Sequence, residues 1–321
     1  MLFLTLIVIV SGISINTYSD NGSGAAPFVE KKWEFYLDDS GQRNLAAITP
    51  PVMPKPGEER LMMKCIVACD TDGKDDIKEV QAWVLSPPFA ACKNSSVSLG
   101  SACETACAAG MNSTECLACI LAECPPDNFS KEHEATPDLL KRAENGSQEF
   151  NDCDVQGLDP DFFSKGFCSL YAGSFAMNYS DGPGNYSVLA MVTDNNDSIG
   201  FMENLFAYGG CVGIEINSTA IDFGQVKPGE TKASANIEIR NICNTEIDVA
   251  RSHTAMAGMQ KGDTIEAGKV TASINNMTSS CADVNLQPGS AVSAEAALSV
   301  PLGTLPDTYT GNMTFTATAC I

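Results

Sequence analysis

Long apolar runs are missing from this chain of 321 residues. Only Leu2–Val10, inside MLFLTLIVIVSGISI, reaches membrane grade, and it falls short of the roughly twenty residues a spanning helix needs, which argues against a polytopic membrane protein. Bases are scarce as well. Lys and Arg total 19 against 40 Asp and Glu, a net charge of −21 that repels phosphate backbones and excludes a nucleic-acid partner. Histidine is nearly absent: His133 and His253 are the two. His133-Glu134 starts like a zinc-protease motif but lacks the second His four residues on, and no Gly-x-Ser-x-Gly elbow or phosphate-binding Gly loop appears. Nothing assembles an acid–base pair, so the expectation is no enzyme and no cofactor. Aromatics are 7% of residues with two Trp, which leaves little for a sugar-stacking platform.

What the chain does have is cysteine, fourteen of them, and Asn-x-Ser/Thr acceptor sites. The sites fall at Asn21, Asn94, Asn112, Asn128, Asn145, Asn178, Asn185, Asn196, Asn217, Asn276 and Asn312, where about three would arise by chance under the acceptor rule. That excess selects an exported glycoprotein, and outside the cytoplasm cysteines read as disulfides. All are expected to be bonded: Cys65, Cys69, Cys92, Cys103, Cys107, Cys116, Cys119, Cys124, Cys153, Cys168, Cys211, Cys243, Cys281 and Cys320. Their pairing is open.

One pattern occurs twice. Lys227-Pro228-Gly229-Glu230 is a turn, with Pro setting φ at the corner and Gly taking the left-handed position. Alternation follows, with Ala233, Ala235, Ile237 and Ile239 on one face and Lys232, Ser234, Asn236, Glu238 and Arg240 on the other. Lys55-Pro56-Gly57-Glu58 repeats the turn before Leu61–Cys69. Each copy later opens a strand with a Tyr, Tyr186 or Tyr309, but the first interval is longer by roughly fifty residues. The expectation is mainly β: two tandem sandwiches, residues 28–211 and 212–321, the first carrying a Cys-rich insertion at 92–168. In module one, strands are expected at Lys31–Leu37, Asn44–Thr49, Leu61–Cys69, Ile77–Leu85, Ser169–Met177, Tyr186–Thr193 and Ile199–Cys211. Module two is expected to place them near 214–218, 221–226, 232–242, 246–255, 264–275, 291–299 and 308–319.

The insertion reads as a short helical hairpin around Met111-Asn-Ser-Thr. Cys103 and Cys107 share one face, Cys116 and Cys119 another, so disulfides staple it. A redox or zinc role for Cys116-x-x-Cys119 lacks its βαβ context. Further on, an amphipathic turn is expected at Leu139-Leu140. Reduction should therefore collapse the insertion first and spare module two. Residues 1–27 read as an apolar helix, either signal peptide or anchor, and a polar linker.

The loop Asp70-Thr-Asp-Gly-Lys-Asp-Asp76 carries Asp70, Asp72, Asp75 and Asp76 between two strands. The EF-hand spacing fails, because Gly comes early and no Glu closes the loop. A solvated turn and a structural Ca²⁺ site both stay open. Whether Asp194 and Asp197 approach the same end is not legible in sequence.

The phrases IDFGQVKPGE and PLGTLPDTYTGNMTF resemble the Ig-like modules of archaeal and bacterial surface, adhesion and pilus-associated proteins, and GNYSVLAMVTDNND resembles the late strands of polycystic-kidney-disease-type and fibronectin-like modules. Tyr186 and Tyr309 resemble the tyrosine corner of such folds. Cys69 and Trp83 are spaced like the Cys and core Trp of immunoglobulin domains, but the partner Cys near Val188 is missing, so Cys65 or Cys69 is expected to bond elsewhere, for instance to Cys92 or Cys211. The apolar start resembles archaeal class III (prepilin-type) signal sequences without their Gln-x-Ser-x-Glu motif. The resemblance covers about 200 residues. It implies a structural or adhesive cell-surface protein, extracellular, tethered to the membrane through its N-terminal segment or secreted, with other envelope or filament proteins or itself as partner. A pilin-like filament subunit and a carbohydrate- or protein-binding surface module are the alternatives.

Overall fold

The computed structural model describes residues 13–15, 24–87, 138–143, 153, 166–234, 236–274 and 286–320. The chain divides into two units. The first comprises Met1–Met53, Glu59–Met177 and Gly182–Gly209; the second comprises Pro54–Glu58, Asn178–Asp181 and Gly210–Ile321. Among the described residues no helix is long and apolar enough to cross a membrane.

Among its described residues the first unit has ten strands: β1 (Ile13–Ile15), β2 (Phe28–Leu37), β3 (Arg43–Leu45), β4 (Arg60–Cys69), β5 (Ile77–Leu85), β6 (Asp138–Leu139), β7 (Lys141–Arg142), β8 (Cys168–Met177), β9 (Gly184–Asp194) and β10 (Ile199–Tyr208). They form two five-stranded sheets, ordered β1-β10-β9-β5-β6 and β3-β2-β4-β8-β7. Alternation explains which face of each is buried. Val29, Ile66 and Ala68 from one sheet pack with Val80, Ala82, Ala190 and Val192 from the other. Farther along the same interior, Met62 and Phe175 meet Val188, Phe206 and Tyr208. This is a sandwich with aligned apolar inner faces. The outer face of β4 is buried too: Cys65, Val67 and Cys69 pack with Phe35, Cys153 and Leu170.

Disulfides here bind Cys65 to Cys153 and Cys69 to Cys168. The second joins residues directly opposed in the β4–β8 ladder, so it lies within one sheet. Neither Cys65 nor Cys69 reaches Cys92 or Cys211, the partners the sequence suggested; Cys211 bonds Cys243, and both belong to the second unit.

Two expectations for the first unit change, and a third falls on residues that are not described. Residues 13–15, placed in an apolar helix, pair as β1 with β10, while 1–12 lie outside the described residues. The helical hairpin likewise lies outside them. In place of the Leu139-Leu140 turn, Leu139 ends the short strand β6 on β5, and Leu140 links it to β7 on β8. Leu140 is buried in the core between them. Hydrophobic burial of Leu140 and open strand edges outweigh the local amphipathic turn pattern.

The second unit holds β11 (Ile214–Ile216), β12 (Thr231–Ala233), β13 (Ile237–Asn241), β14 (Ile247–His253), β15 (Met256–Gly258), β16 (Thr264–Ile265), β17 (Val270–Ile274), β18 (Ala291–Ser299), β19 (Tyr309–Thr310) and β20 (Met313–Ala319). One sheet runs β11-β13-β18-β12 with β17 also on β18; β14 pairs β20, and β15 lies between β16 and β19. Ile237, Ile239, Ile247, Ile265, Val270 and Leu298 fill the core. The expected strand at 221–226 is absent. Asp222 Oδ1 accepts from Gly224 N at 2.7 Å, and Gly224 sits at φ 61°, an Asx turn that breaks the ladder. Three other expected strands are split: 232–242 at Ser234, 264–275 by a 3₁₀ turn at Ala267–Lys269, and 308–319 at Gly311.

Candidate functional site

Two loops at one end of the first unit build the site. The β4–β5 loop leaves a fixed point, because Cys69 is bonded to Cys168 and Asp70 N donates to Phe167 O at 2.8 Å. Gly73, at φ 126°, donates its N–H to Asp70 O, and Asp76 N donates to Gly73 O. The β9–β10 turn is held by Asp194, whose Oδ1 accepts from Asn196 N at 2.8 Å and Ser198 N at 2.7 Å. Asn195 fastens one loop to the other, donating its N–H to Asp76 O at 2.9 Å and its Nδ2 to Asp76 Oδ1 at 3.0 Å.

This brings one carboxylate oxygen from each of Asp70, Asp76 and Asp194 within 4.8 Å of the others. Asp70 and Asp194 are 0% exposed, and Oδ2 of each is buried with no hydrogen-bond partner. Burial, joined by the charges of Asp76, Asp72 and Asp194, pushes the Asp70 carboxyl above its ordinary range against the lowering hydrogen bond from Asp72 N. Oxygens up to about 5 Å apart can share one Ca²⁺, whose bonds to oxygen are about 2.3–2.6 Å. The donor set is all oxygen and anionic, which suits a hard divalent cation and not a soft one.

Of the four loop carboxylates singled out in the sequence, Asp70 and Asp76 join this group. Asp72 instead accepts from Ala25 N at 2.7 Å, and Asp75 pairs with Arg142 at 3.0 Å. Asp194 is the member the sequence could not place, because only the β5–β9 ladder sets Asp194 opposite Ile77. Asp197 lies outside the group, exposed and paired with Lys78 at 2.6 Å. Among the described acceptor sites, Asn185, Asn196, Asn217 and Asn312 are exposed, while Asn178 is half-buried with its Oδ1 held by Ser180. His253 is half-buried on β14, with a buried Nδ1.

No family model matches the sequence, and no curated protein does either. Among solved structures, the chain is similar to a protein of a chaperone–tip adhesin complex of CFA/I fimbriae, at 10% identity over 97% of this chain and 81% of that one, with a TM-score of 0.25. It is also similar to the C-terminal domain of the Streptococcus agalactiae AgI/II polypeptide BspA, at 12% identity over 90% and 97%, with a TM-score of 0.22. A third is Escherichia coli alpha-2-macroglobulin, at 12% identity over 96% and 30%, with a TM-score of 0.25. Overlaps this slight carry no argument about fold or function.

Proposed function

We propose that this chain is an exported, N-glycosylated structural or adhesive protein of the cell surface, built from two Ig-like units, that turns over no external substrate. The observation that supports this reading is that every described cysteine is disulfide-bonded: Cys65, Cys69, Cys153, Cys168, Cys211, Cys243 and Cys320. Such a framework persists outside the reducing cytoplasm. Four exposed acceptor asparagines on strands and turns leave room for glycans. The partners in this reading are other envelope proteins or further copies of this chain. Mild protease treatment of intact cells is the test. Release of peptides from both units, with glycan on Asn185 or Asn312, is the expected result; recovery only from lysed cells, with free thiols, would overturn it.

The carboxylate group supports a second element: a bound Ca²⁺ that orders the Asp70–Asp76 loop against the Asp194 turn. The buried, unpartnered Oδ2 atoms of Asp70 and Asp194 favour it, since like charges held this close are costly without a cation. Titration with Ca²⁺ should raise the melting temperature of the first unit alone, and Asp194→Asn should abolish the rise. An unchanged melt in saturating Ca²⁺ would leave the loops as a hydrogen-bonded turn pair.

A further inference from the structure

Deep between the two sheets of the first unit, three polar side chains meet in apolar surroundings. Lys32 and Glu34 stand two residues apart on β2, so both point to the inner face. Lys32 Nζ lies 2.7 Å from Glu34 Oε1, and both side chains are 0% exposed. Asn204 enters from β10 on the opposite sheet and donates its Nδ2 to Glu34 Oε2. One carboxylate thus holds an amine on one oxygen and a carboxamide on the other. Apart from that ion pair, Lys32 Nζ and Glu34 Oε1 have no hydrogen-bond partner, and Asn204 Oδ1 is buried with none.

The neighbours are apolar by register: Ile66 lies opposite Lys32, and Val188 opposite Asn204. Lys64, opposite Glu34, turns its Nζ over the Phe175 ring at 5.0 Å. Burial pulls the Lys32 ammonium below its ordinary range, and the opposing pull of Glu34 is smaller. A lysine desolvated in this way is a nucleophile, not only a cation.

We propose that Lys32 and Asn204 join in an intramolecular isopeptide bond, formed by the folded chain itself with Glu34 as the catalytic proton carrier. The neutral Lys32 amine attacks Asn204 Cγ; the Nζ–Cγ bond forms and the Cγ–Nδ2 bond breaks. Glu34 takes the proton released by Nζ and delivers it to Nδ2, which leaves as ammonia. One carboxamide replaces another, so no oxidant or outside reagent is needed. An amine and an amide are inert to each other in dilute water. Held in place they gain effective molarities on the order of 10⁵–10⁸ M, and exclusion of water from the interior suppresses hydrolysis back.

The bond would join the two sheets, which no disulfide among the described residues does. It would also tie β2 to β10, the final strand of the unit. Tension entering before β2 and leaving after β10 would cross that bond and bypass the strands between. This consequence rests on the mechanical reading of the protein; the bond itself does not.

Mass spectrometry decides it. The full chain, made in a host that adds no N-glycans, is reduced, denatured and digested. The expected product is a branched peptide joining the Lys32 and Asn204 segments, one ammonia lighter than their sum. Glu34→Gln, judged folded by an intact Cys69–Cys168 disulfide, should give the two linear peptides instead. Linear peptides from the natural sequence would overturn the proposal and leave a buried ion cluster. Asn204 converted to Asp, or a branch at Lys64, would overturn it equally. None of these outcomes depends on where in the cell the protein resides, so failure here and failure of the surface assignment are separately visible.

Discussion

The Tyr309 hydroxyl donates to the Leu305 carbonyl at 2.8 Å, four residues upstream, and Tyr186 makes the same contact with Gly182 at 2.9 Å. Each hydroxyl pins the loop that precedes its strand, so the two units share one device at equivalent points of their sequence. The same hydroxyl donates to Asp263 Oδ2 at 3.1 Å, its one proton shared between the two acceptors. Tyr309→Phe keeps the ring and removes both bonds, so it should cost the second unit about 1–2 kcal/mol in denaturant unfolding and leave the first unit unchanged.

Gly200 on β10 lies against the start of β2. A Cβ there would stand 2.2 Å from the Pro27 carbonyl oxygen and 3.0 Å from Phe28 Cα, and both are backbone atoms that cannot rotate aside. Gly200→Ala is expected to destabilise the first unit by about 1–3 kcal/mol, the cost of overpacking. A shift in the urea midpoint of that unit checks it.

Asp263 and Asp307 flank the loop below Tyr309. The Leu305 N–H, with Thr264 N–H and the Tyr309 hydroxyl, holds Asp263 below the usual carboxylate range; the Lys261 N–H, helped by Gln260 and Thr308, does the same for Asp307. A carboxyl depressed in the folded state binds fewer protons there than in the unfolded chain. The stability it adds is complete above the unfolded value near pH 4 and drains away as pH falls through the folded value. Melting of the second unit should drop as pH falls below about 4, and Asp263→Asn with Asp307→Asn should flatten that drop.

Reduction should weaken both units. Cys69–Cys168 closes a separation of 99 residues and Cys211–Cys243 one of 32. By chain entropy these closures are worth about 4–5 and about 3–4 kcal/mol. Replacing Cys211 and Cys243 together by Ala should lower the melting of the second unit alone. The sequence-based expectation that reduction spares this unit overlooks its own disulfides, which include the one at Cys320.

Strand positions in the first unit were largely legible, because period-two burial writes itself into the residues: Ile77–Leu85 is a strand as expected, and Arg60–Cys69 differs by one residue. The Tyr contacts were legible for the same reason, being local. Residues 221–226 misled, because alternation there continues through a turn set by the short contact of Asp222 with Gly224.

Composition and periodicity alone determined that this chain is β-rich, acidic and cysteine-laden, since each of those properties is a count or a local spacing. Pairing was decided only by the tertiary structure. Asp194 reaches Asp70 and Asp76, Cys65 finds Cys153, and Lys32 and Glu34 meet Asn204, each across many residues of chain. Such meetings depend on sheet order and register, which sum over the whole buried interior and leave no mark at any one position.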